Sequence, residues 1–408
     1  MRAVVRPIEV ELMFVVSRDG VVRVIDGSAA AGATVQVTPP LAPASSADWT
    51  PISQIAPDAG AEGEDFGVVA IDFGLGISRT LSFRARSFGS GQAARRKNKF
   101  EVTVGKASTT AIPKGMSAIA GFVQVVSSCL LQITTNANLL HGARNPEVVH
   151  QIRVGLRRLR AAFATFEPIL PRDGLDRLER ETEWLSAELE PARDLDVFIK
   201  NEFASAQARA PGDQLMTALG DRLSMAQDLA YDQALTAVDS DRFEAFVRYC
   251  TEWVAAASSH RVDKSIATSL RDGDASVLAA QALRRLRRQV CKMGKHLDTL
   301  DRVGRHEVRI KAKKLRYAGE FFSKSFGKSA RNQHLKFIAS LAALQDALGD
   351  LNDMATARRC ALAVAGRSPE LCFRAGLVVG GRDRDEPRLL AKAVRAYEQW
   401  TDARPFWH

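Results

Sequence analysis

The sequence predicts a mainly α-helical fold: two tandem helical bundles with pseudo-two-fold symmetry, preceded by a small β-rich domain. Three observations predict this fold. Residues 1–110 contain short alternating stretches separated by turn signals. From about residue 114 the chain changes to long Ala/Leu/Arg/Glu segments with helical apolar spacing. Within these segments one stretch of sequence occurs twice, which is typical of a duplicated structural unit.

The N-terminal region, residues 1–110, has strand character at 8–16, 67–73, 81–86 and 100–104. Residues 38–65 are rich in Pro, Ala, Ser, Asp and Gly, which indicates an exposed connection. A Ser/Thr-rich segment with Pro113 then forms a plausible linker. The predicted boundary therefore separates a domain of residues 1–110 from a helical domain of residues 115–408.

The repeat is the strongest signal in the sequence. The string HQIRVGLRRLR at 150–160 returns as HEVRIKAKKLR at 306–316, a shift of 156 residues. Asp-Leu at 194–195 returns as Asp-Leu at 350–351 with the same shift. We therefore expect two helical repeats, at about 115–270 and 271–408.

Net charge indicates an anionic partner for the helical domain. The chain carries 57 Lys and Arg against 47 Asp and Glu, a net charge of +10. Residues 1–110 contribute only +1 of this charge, and residues 111–408 contribute +9. The excess lies where the repeat lies, as expected of a surface that attracts anions.

Each repeated helix places its basic residues on one face, next to an apolar face that can pack in a bundle. The basic residues of the two faces are His150, Arg153, Arg157 and Arg160, and His306, Arg309, Lys313 and Arg316. Like charges three or four residues apart repel one another by a few tenths of a kcal/mol, about 0.2–0.5 per pair. A chain of phosphates relieves this repulsion, since guanidinium groups bind phosphate oxygens in pairs and lysine adds a point charge.

Two other interpretations of these residues remain open. The faces are also compatible with ordinary solvated helix surfaces. The two histidines either contact phosphate or bond a carboxylate such as Asp194 or Asp350. The Asp-Leu-containing strings favour salt bridges to the basic side chains over a metal site formed with Asp196 and Asp353.

The motifs HQIRVGLRRLRAAF and HEVRIKAKKLRYAGEFF, each followed by an Asp-Leu segment, resemble the CHAD family, the conserved-histidine α-helical domain. The resemblance covers residues 115–408. It implies two tandem antiparallel four-helix bundles around a basic groove that binds inorganic polyphosphate, often on polyphosphate granules. Carried over position by position, it implies the binding residues His150, Arg153, Arg157, Arg158, Arg160, His306, Arg309, Lys313, Lys314 and Arg316. Arg284, Arg285, Arg287 and Arg288 form a further basic helix that we add to this set with a solvated face as the alternative.

The N-terminal region resembles a shortened, degenerate member of the CYTH family of triphosphate-processing enzymes, which often precedes a CHAD domain. Its opening strand keeps Glu9 and Glu11, the weak metal-ligand candidates, but has Met13 where the family pattern has lysine. Arg84 and Arg86 share a strand face with which triphosphate could interact. We expect this region to be catalytically inactive. The alternatives are a metal-dependent triphosphatase with an accessory CHAD domain and an unrelated small β domain.

The predicted function is therefore binding of inorganic polyphosphate without a cofactor, by a protein that is not primarily an enzyme. No P-loop, GxSxG or HExxH motif occurs in the sequence. A nucleic-acid-binding or adaptor protein is a further alternative, which the 7% aromatic content disfavours for single strands. We expect no signal peptide, because Glu9 and Glu11 interrupt the short apolar stretch near residue 10. No run of about 18 uninterrupted apolar residues occurs in the sequence, so we expect no membrane partner and a cytoplasmic location, at polyphosphate granules.

Overall fold

The structure is a computed structural model that describes residue 104, residues 110–142, 144–259 and 266–407, and the backbone of four N-terminal strands. The chain divides into two units, residues 1–103 and 104–408. In the first unit, β1 (Val24–Ile25) pairs antiparallel with β2 (Val37–Thr38), and β3 (Glu64–Ile71) with β4 (Arg79–Arg86). The predicted strand at 8–16 and nearly all of the one at 100–104 lie outside the described residues. The β-rich domain therefore stays a prediction.

The second unit is mainly helical, which confirms the predicted class for residues 104–408. The helices that the structure describes are α1 (Ala118–Leu140), α2 (Pro146–Phe166), α3 (Leu175–Glu188), α4 (Glu190–Phe198), α5 (Ala204–Arg209), α6 (Gln214–Val238), α7 (Asp241–Ser259), α8 (Ile266–Asp272), α9 (Ala275–Gly294), α10 (Arg302–Phe321), α11 (Arg331–Ala365), α12 (Pro369–Asp383) and α13 (Glu386–Asp402). A π-helical turn, Ile199–Phe203, joins α4 to α5.

The 156-residue repeat extends over whole helices. The pairs α1 and α9, and α2 and α10, begin 156 or 157 residues apart. The segment from the start of α3 to the end of α5, residues 175–209, corresponds to the single helix α11 at 331–365. Pro191 lies in the first turn of α4 and interrupts this segment in the first copy, whereas Ala347 occupies the same position in the second copy.

Side-chain caps fix where the repeated helices begin. Asn145 accepts a hydrogen bond from the Glu147 backbone at the start of α2, and Asp301 accepts one from Gly304 at the start of α10. The starts of α1 and α9 are joined by reciprocal backbone bonds. Ala118 N donates to Gly273 O at 3.0 Å, and Ala275 N donates to Met116 O at 2.8 Å. The two copies of the repeat therefore meet at equivalent positions.

Two aromatic clusters form much of the core. In the first, Phe122 packs against Phe163, Phe166 and Trp253 with ring centroids 5.4–6.4 Å apart. In the second, the C-terminal tail inserts Phe406 and Trp407 against Phe337, at 5.8 and 5.0 Å. By length and composition α1 could cross a membrane, but 72% of its apolar window is buried within the fold. It is the central helix of the first cluster.

Gly155 lies where α2 approaches α1 closely. A Cβ at this position would lie 2.7 Å from Ile133 Cγ1 and 3.4 Å from the Cys129 carbonyl oxygen. Over-packing of a core costs about 1–3 kcal/mol, which outweighs the gain of about 1 kcal/mol in helix propensity. We therefore expect Gly155→Ala to lower the free energy of unfolding by about 1–2 kcal/mol in urea denaturation followed by circular dichroism.

Gly376 in α12 provides the matched control, since nothing lies within 4 Å of a Cβ built there. Gly376→Ala should raise the free energy of unfolding by up to about 1 kcal/mol, from helix propensity alone. Equal stability of the two variants would contradict the close contact between α1 and α2.

Candidate anion-binding site

The two motif helices, α2 and α10, pack against each other and bring their basic residues together. Lys313 has Arg309, Arg157 and Arg153 as its charged neighbours, and Arg309 is itself close to Arg157. His150 joins the group through Arg157 and Arg153. We call this group the cationic cluster: His150, Arg153, Arg157, Arg193, Arg309 and Lys313.

Arg193 of α4 completes the cluster and was missed by the sequence analysis. It is the strongest charged influence on His150. The signal was present in the repeat, because Arg193 corresponds to Gly349 at the shift of 156 residues. In the second copy the missing side chain leaves room for Arg309, whose Nη2 lies 3.4 Å from the position of a Gly349 Cβ. Thus the first copy adds a cation where the second copy makes space for one.

Protein groups hold the arginines of the cluster without neutralising it. Arg153 donates to the Ser186 carbonyl oxygen at 2.7 Å and to Glu190 Oε1 at 3.4 Å. The buried Nε atoms of Arg153, Arg157 and Arg309 have no hydrogen-bond partner among the described residues. Asp353 and Asp194 supply nearby negative charge. The cluster therefore keeps donors and positive charge that an anion can satisfy.

Burial and mutual repulsion lower the pKa of two groups in the cluster. Burial, then Arg309 and Arg157, lower the pKa of Lys313 to about 6. Burial, then Arg193 and Arg157, lower the pKa of His150 to about 4. Both effects disfavour the charged form, and a bound anion would oppose both. The positive groups of the half-buried cluster therefore repel one another, and an anionic ligand would reduce this repulsion.

The aspartates of the Asp-Leu strings do not make the ion pairs with the motif cations that the sequence analysis favoured. Asp194 pairs with Arg359 at 3.1 Å, and Asp350 pairs with Lys392 at 2.9 Å. The carboxylate alternative for the second histidine is also wrong, because the Nδ1 atom of His306 lies 2.8 Å from Oδ1 of Asn352. The two ion pairs link α4 to α11 and α11 to α13, so they do not hold the basic residues of the motifs in place.

The other five predicted residues of the motifs have their contacts outside the cluster. Arg158 is 5% exposed and donates to Gln132, with its guanidinium carbon 5.9 Å from the Phe321 ring centroid. Arg160 pairs with Glu183 at 2.8 Å, and Arg316 pairs with Glu320 at 3.2 Å. Lys314 has Lys311 and Arg160, not the cluster, as its cationic neighbours. His306 is exposed.

The added basic helix, α9, does not join the cluster either. Arg284 and Arg288 lie on its exposed face. Arg287 donates to the Thr401 carbonyl oxygen at 2.8 Å and so caps the end of α13. Glu9 and Glu11 lie outside the described residues. Within the described part of the chain, no three His, Cys, Asp or Glu side chains are grouped so as to hold a metal ion.

The fold and the cluster define a class: a helical protein in which two copies of one basic helix pack together and pool their cations. The chain belongs to the CHAD family, because the family model described as "CHAD domain" matches residues 124–362, more than half of the chain. The resemblance predicted from the two motifs is thereby confirmed. A comparison with curated proteins finds no match.

Two solved structures have a similar fold. The crystal structure of the CHAD domain from the plant Ricinus communis matches with a TM-score of 0.61 and 23% identity, over 72% of this chain and 96% of that one. PptA from Streptomyces chartreusis matches with a TM-score of 0.52 and 16% identity, over 69% of this chain and 99% of that one. At these identities the likeness concerns the fold alone.

The lowered pKa of Lys313 predicts how stability depends on pH. The unfolded chain keeps the lysine proton up to about pH 10.5, whereas the folded chain releases it above about pH 6. The unfolded state therefore binds more protons between these values, and stability rises with pH across this window. Lys313→Met should flatten that rise and increase stability at pH 6 by about 1 kcal/mol or more, measured by urea denaturation at several pH values.

Lys313→Arg is the control, because arginine keeps its charge throughout the window. Because this variant stays charged in both the folded and the unfolded chain, its stability should not rise with pH across the window. It should also be less stable than the wild type at pH 8.5. A Met variant with the wild-type pH profile would show that Lys313 is not responsible for it.

Proposed function

We propose that this protein binds inorganic polyphosphate through the cationic cluster and acts in the cytoplasm at polyphosphate granules. One observation carries the proposal: five basic side chains of α2 and α10 lie together with Arg193 of α4, and buried guanidinium Nε atoms there have no partner among the described residues. Like charges do not gather in a half-buried site for the sake of stability, since each pair costs folding free energy. A polyanion offsets that cost.

The spacing of the cations favours a chain of phosphates over a single anion. Residues three or four apart on a helix lie about 5–6 Å from one another, so Arg153 and Arg157 meet successive parts of an extended ligand. Arg309 and Lys313 do the same from α10. Guanidinium groups at three of these positions suit the paired oxygens of phosphate.

We further propose that the helical unit consists of two tandem four-helix bundles, at about 115–270 and 271–408, related by a pseudo-two-fold axis near the cluster. The correspondence of α1 and α2 with α9 and α10 supports this arrangement, as do the two reciprocal backbone bonds, from Ala118 to Gly273 and from Ala275 to Met116. The N-terminal unit is proposed to be an inactive, CYTH-like domain.

The first test neutralises the centre of the cluster. We expect Arg157→Gln to weaken binding of long-chain polyphosphate at least about tenfold, because a charge-assisted hydrogen bond contributes about 1.5–3 kcal/mol. Arg288→Gln, on the exposed face of α9, should change the affinity less than about twofold. Isothermal titration calorimetry at one fixed salt concentration measures both, and circular dichroism verifies that the variants are folded.

The same titrations distinguish the alternative functions. Polyphosphate should displace duplex DNA from the protein at far lower phosphate concentration than the reverse, whereas equal competition would indicate a general polyanion sink. Release of phosphate from triphosphate with Mg²⁺ or Mn²⁺ would instead support a triphosphatase. Equal losses in Arg157→Gln and Arg288→Gln would place the binding site outside the cluster.

A second test measures protons. Because the pKa of Lys313 is about 6, this lysine is neutral in most molecules at pH 7.5. A bound polyanion should raise its pKa, so that the lysine takes up a proton again. We expect net proton uptake on binding and an affinity that falls as the pH rises from 6 to 8. Calorimetry in two buffers with different ionisation enthalpies measures the uptake. Lys313→Arg should bind polyphosphate with a smaller uptake of protons. Unchanged proton uptake in this variant would contradict the assignment of the proton to Lys313.

A further inference from the structure

A groove lies between α9 and α10 on one side and the end of α2 and α3 on the other. Its volume is about 370 Å³, within the range of small-molecule sites. We call it the bipolar groove, because one wall is cationic and the other is acidic. The cationic wall is formed by Arg285, Lys311 and Lys314. The acidic wall is formed by Glu167, Asp176 and Glu179, with Arg172 also among its residues.

The groove breaks the symmetry of the repeat. At the equivalent positions of the first copy, Cys129 replaces Arg285 and Gly155 replaces Lys311. Cys129 is fully buried there, and Gly155 lies so close to α1 that a Cβ would meet Ile133 at 2.7 Å. The first copy is therefore closely packed at the place where the second copy has charged side chains and open space. Packing demands of the repeat do not explain this difference.

The opposite charges of the two walls do not close the groove. Within the described part of the chain, none of the three carboxylates forms a direct ion pair with the cationic wall. Arg285 instead donates to the Ala164 carbonyl oxygen at 2.6 Å, which fixes its position. Leu175 and Leu286 line the groove between the walls. It thus offers separate sites for an anionic group and for hydrogen-bond donors.

We propose that the bipolar groove binds a nucleoside phosphate, with its phosphates on the cationic wall and its ribose hydroxyls on the acidic wall. Lysines provide point charges for phosphate oxygens, and aspartate or glutamate accepts hydrogen bonds from ribose hydroxyls. Bare polyphosphate fits this lining poorly, because three carboxylates would face it. The inference is therefore independent of polyphosphate binding at the cluster.

The test compares ATP with inorganic triphosphate, titrated into the full chain without divalent cations by calorimetry. ATP should bind more tightly than triphosphate. Lys311→Met should weaken ATP binding about tenfold, as expected for the loss of one charge-assisted contact. Arg284→Met, on the exposed face of α9, is the matched control and should change it less than about twofold.

Asp176→Asn separates recognition of the nucleoside from attraction of phosphate. This variant should bind ATP several-fold more weakly but triphosphate no more weakly, because it replaces a charged ribose acceptor by a weaker neutral one and removes a repulsive charge. Arg157→Gln should leave ATP binding unchanged. The proposal is overturned if ATP and triphosphate bind equally and both depend on Arg157, since the cluster would then bind them. It is also overturned if ATP does not bind at millimolar concentration.

Discussion

The contact between α2 and α10 is the constraint on which the rest of the helical unit depends. Each of these helices carries a basic face, and their packing brings Arg157 of one beside Arg309 and Lys313 of the other. Such a contact opposes folding, so the apolar faces of the same helices must offset it. Ile152, Leu156 and Leu159 are fully buried on α2, as are Val308 and Leu315 on α10. At about 1.5–3 kcal/mol for each large buried side chain, this burial exceeds the repulsion between the cations.

The two copies of the repeat differ at positions where the difference changes the charge and the space available at the site. Arg193 in the first copy corresponds to Gly349 in the second. The first copy therefore contributes a cation from α4, whereas the second accommodates Arg309. Gly155 in the first copy corresponds to Lys311 in the second. In the first copy α1 and α2 therefore pack closely, whereas the second copy has a charged groove at this place. Duplication alone would have produced two equivalent half-sites. The observed differences produce one continuous cluster and, on a single side, one groove.

Sequence periodicity predicted which residues share a helix face, and therefore found His150, Arg153, Arg157, Arg309 and Lys313. It could not predict what covers that face. Arg158 is one position beyond Arg157 and turns into the core beside Gln132, and Arg287 reaches the end of a helix more than 100 residues away. Arg193 belongs to no basic run. Only the approach of α4 to α2 makes it part of the site, and such tertiary contacts are not contained in the spacing of one helix.

The choice of lysine at position 313 follows from the energetics of the cluster. Arg157 occupies the equivalent position in the first copy, and a second arginine there would add a charge that cannot be lost at any physiological pH. Lysine can release its proton when its surroundings are too positive, and burial among Arg309, Arg157 and Arg153 lowers its pKa to about 6. The protein without ligand thus avoids the full repulsion, and binding of an anion restores the charge. One adaptable cation among several fixed ones allows the cluster to be stable in both states.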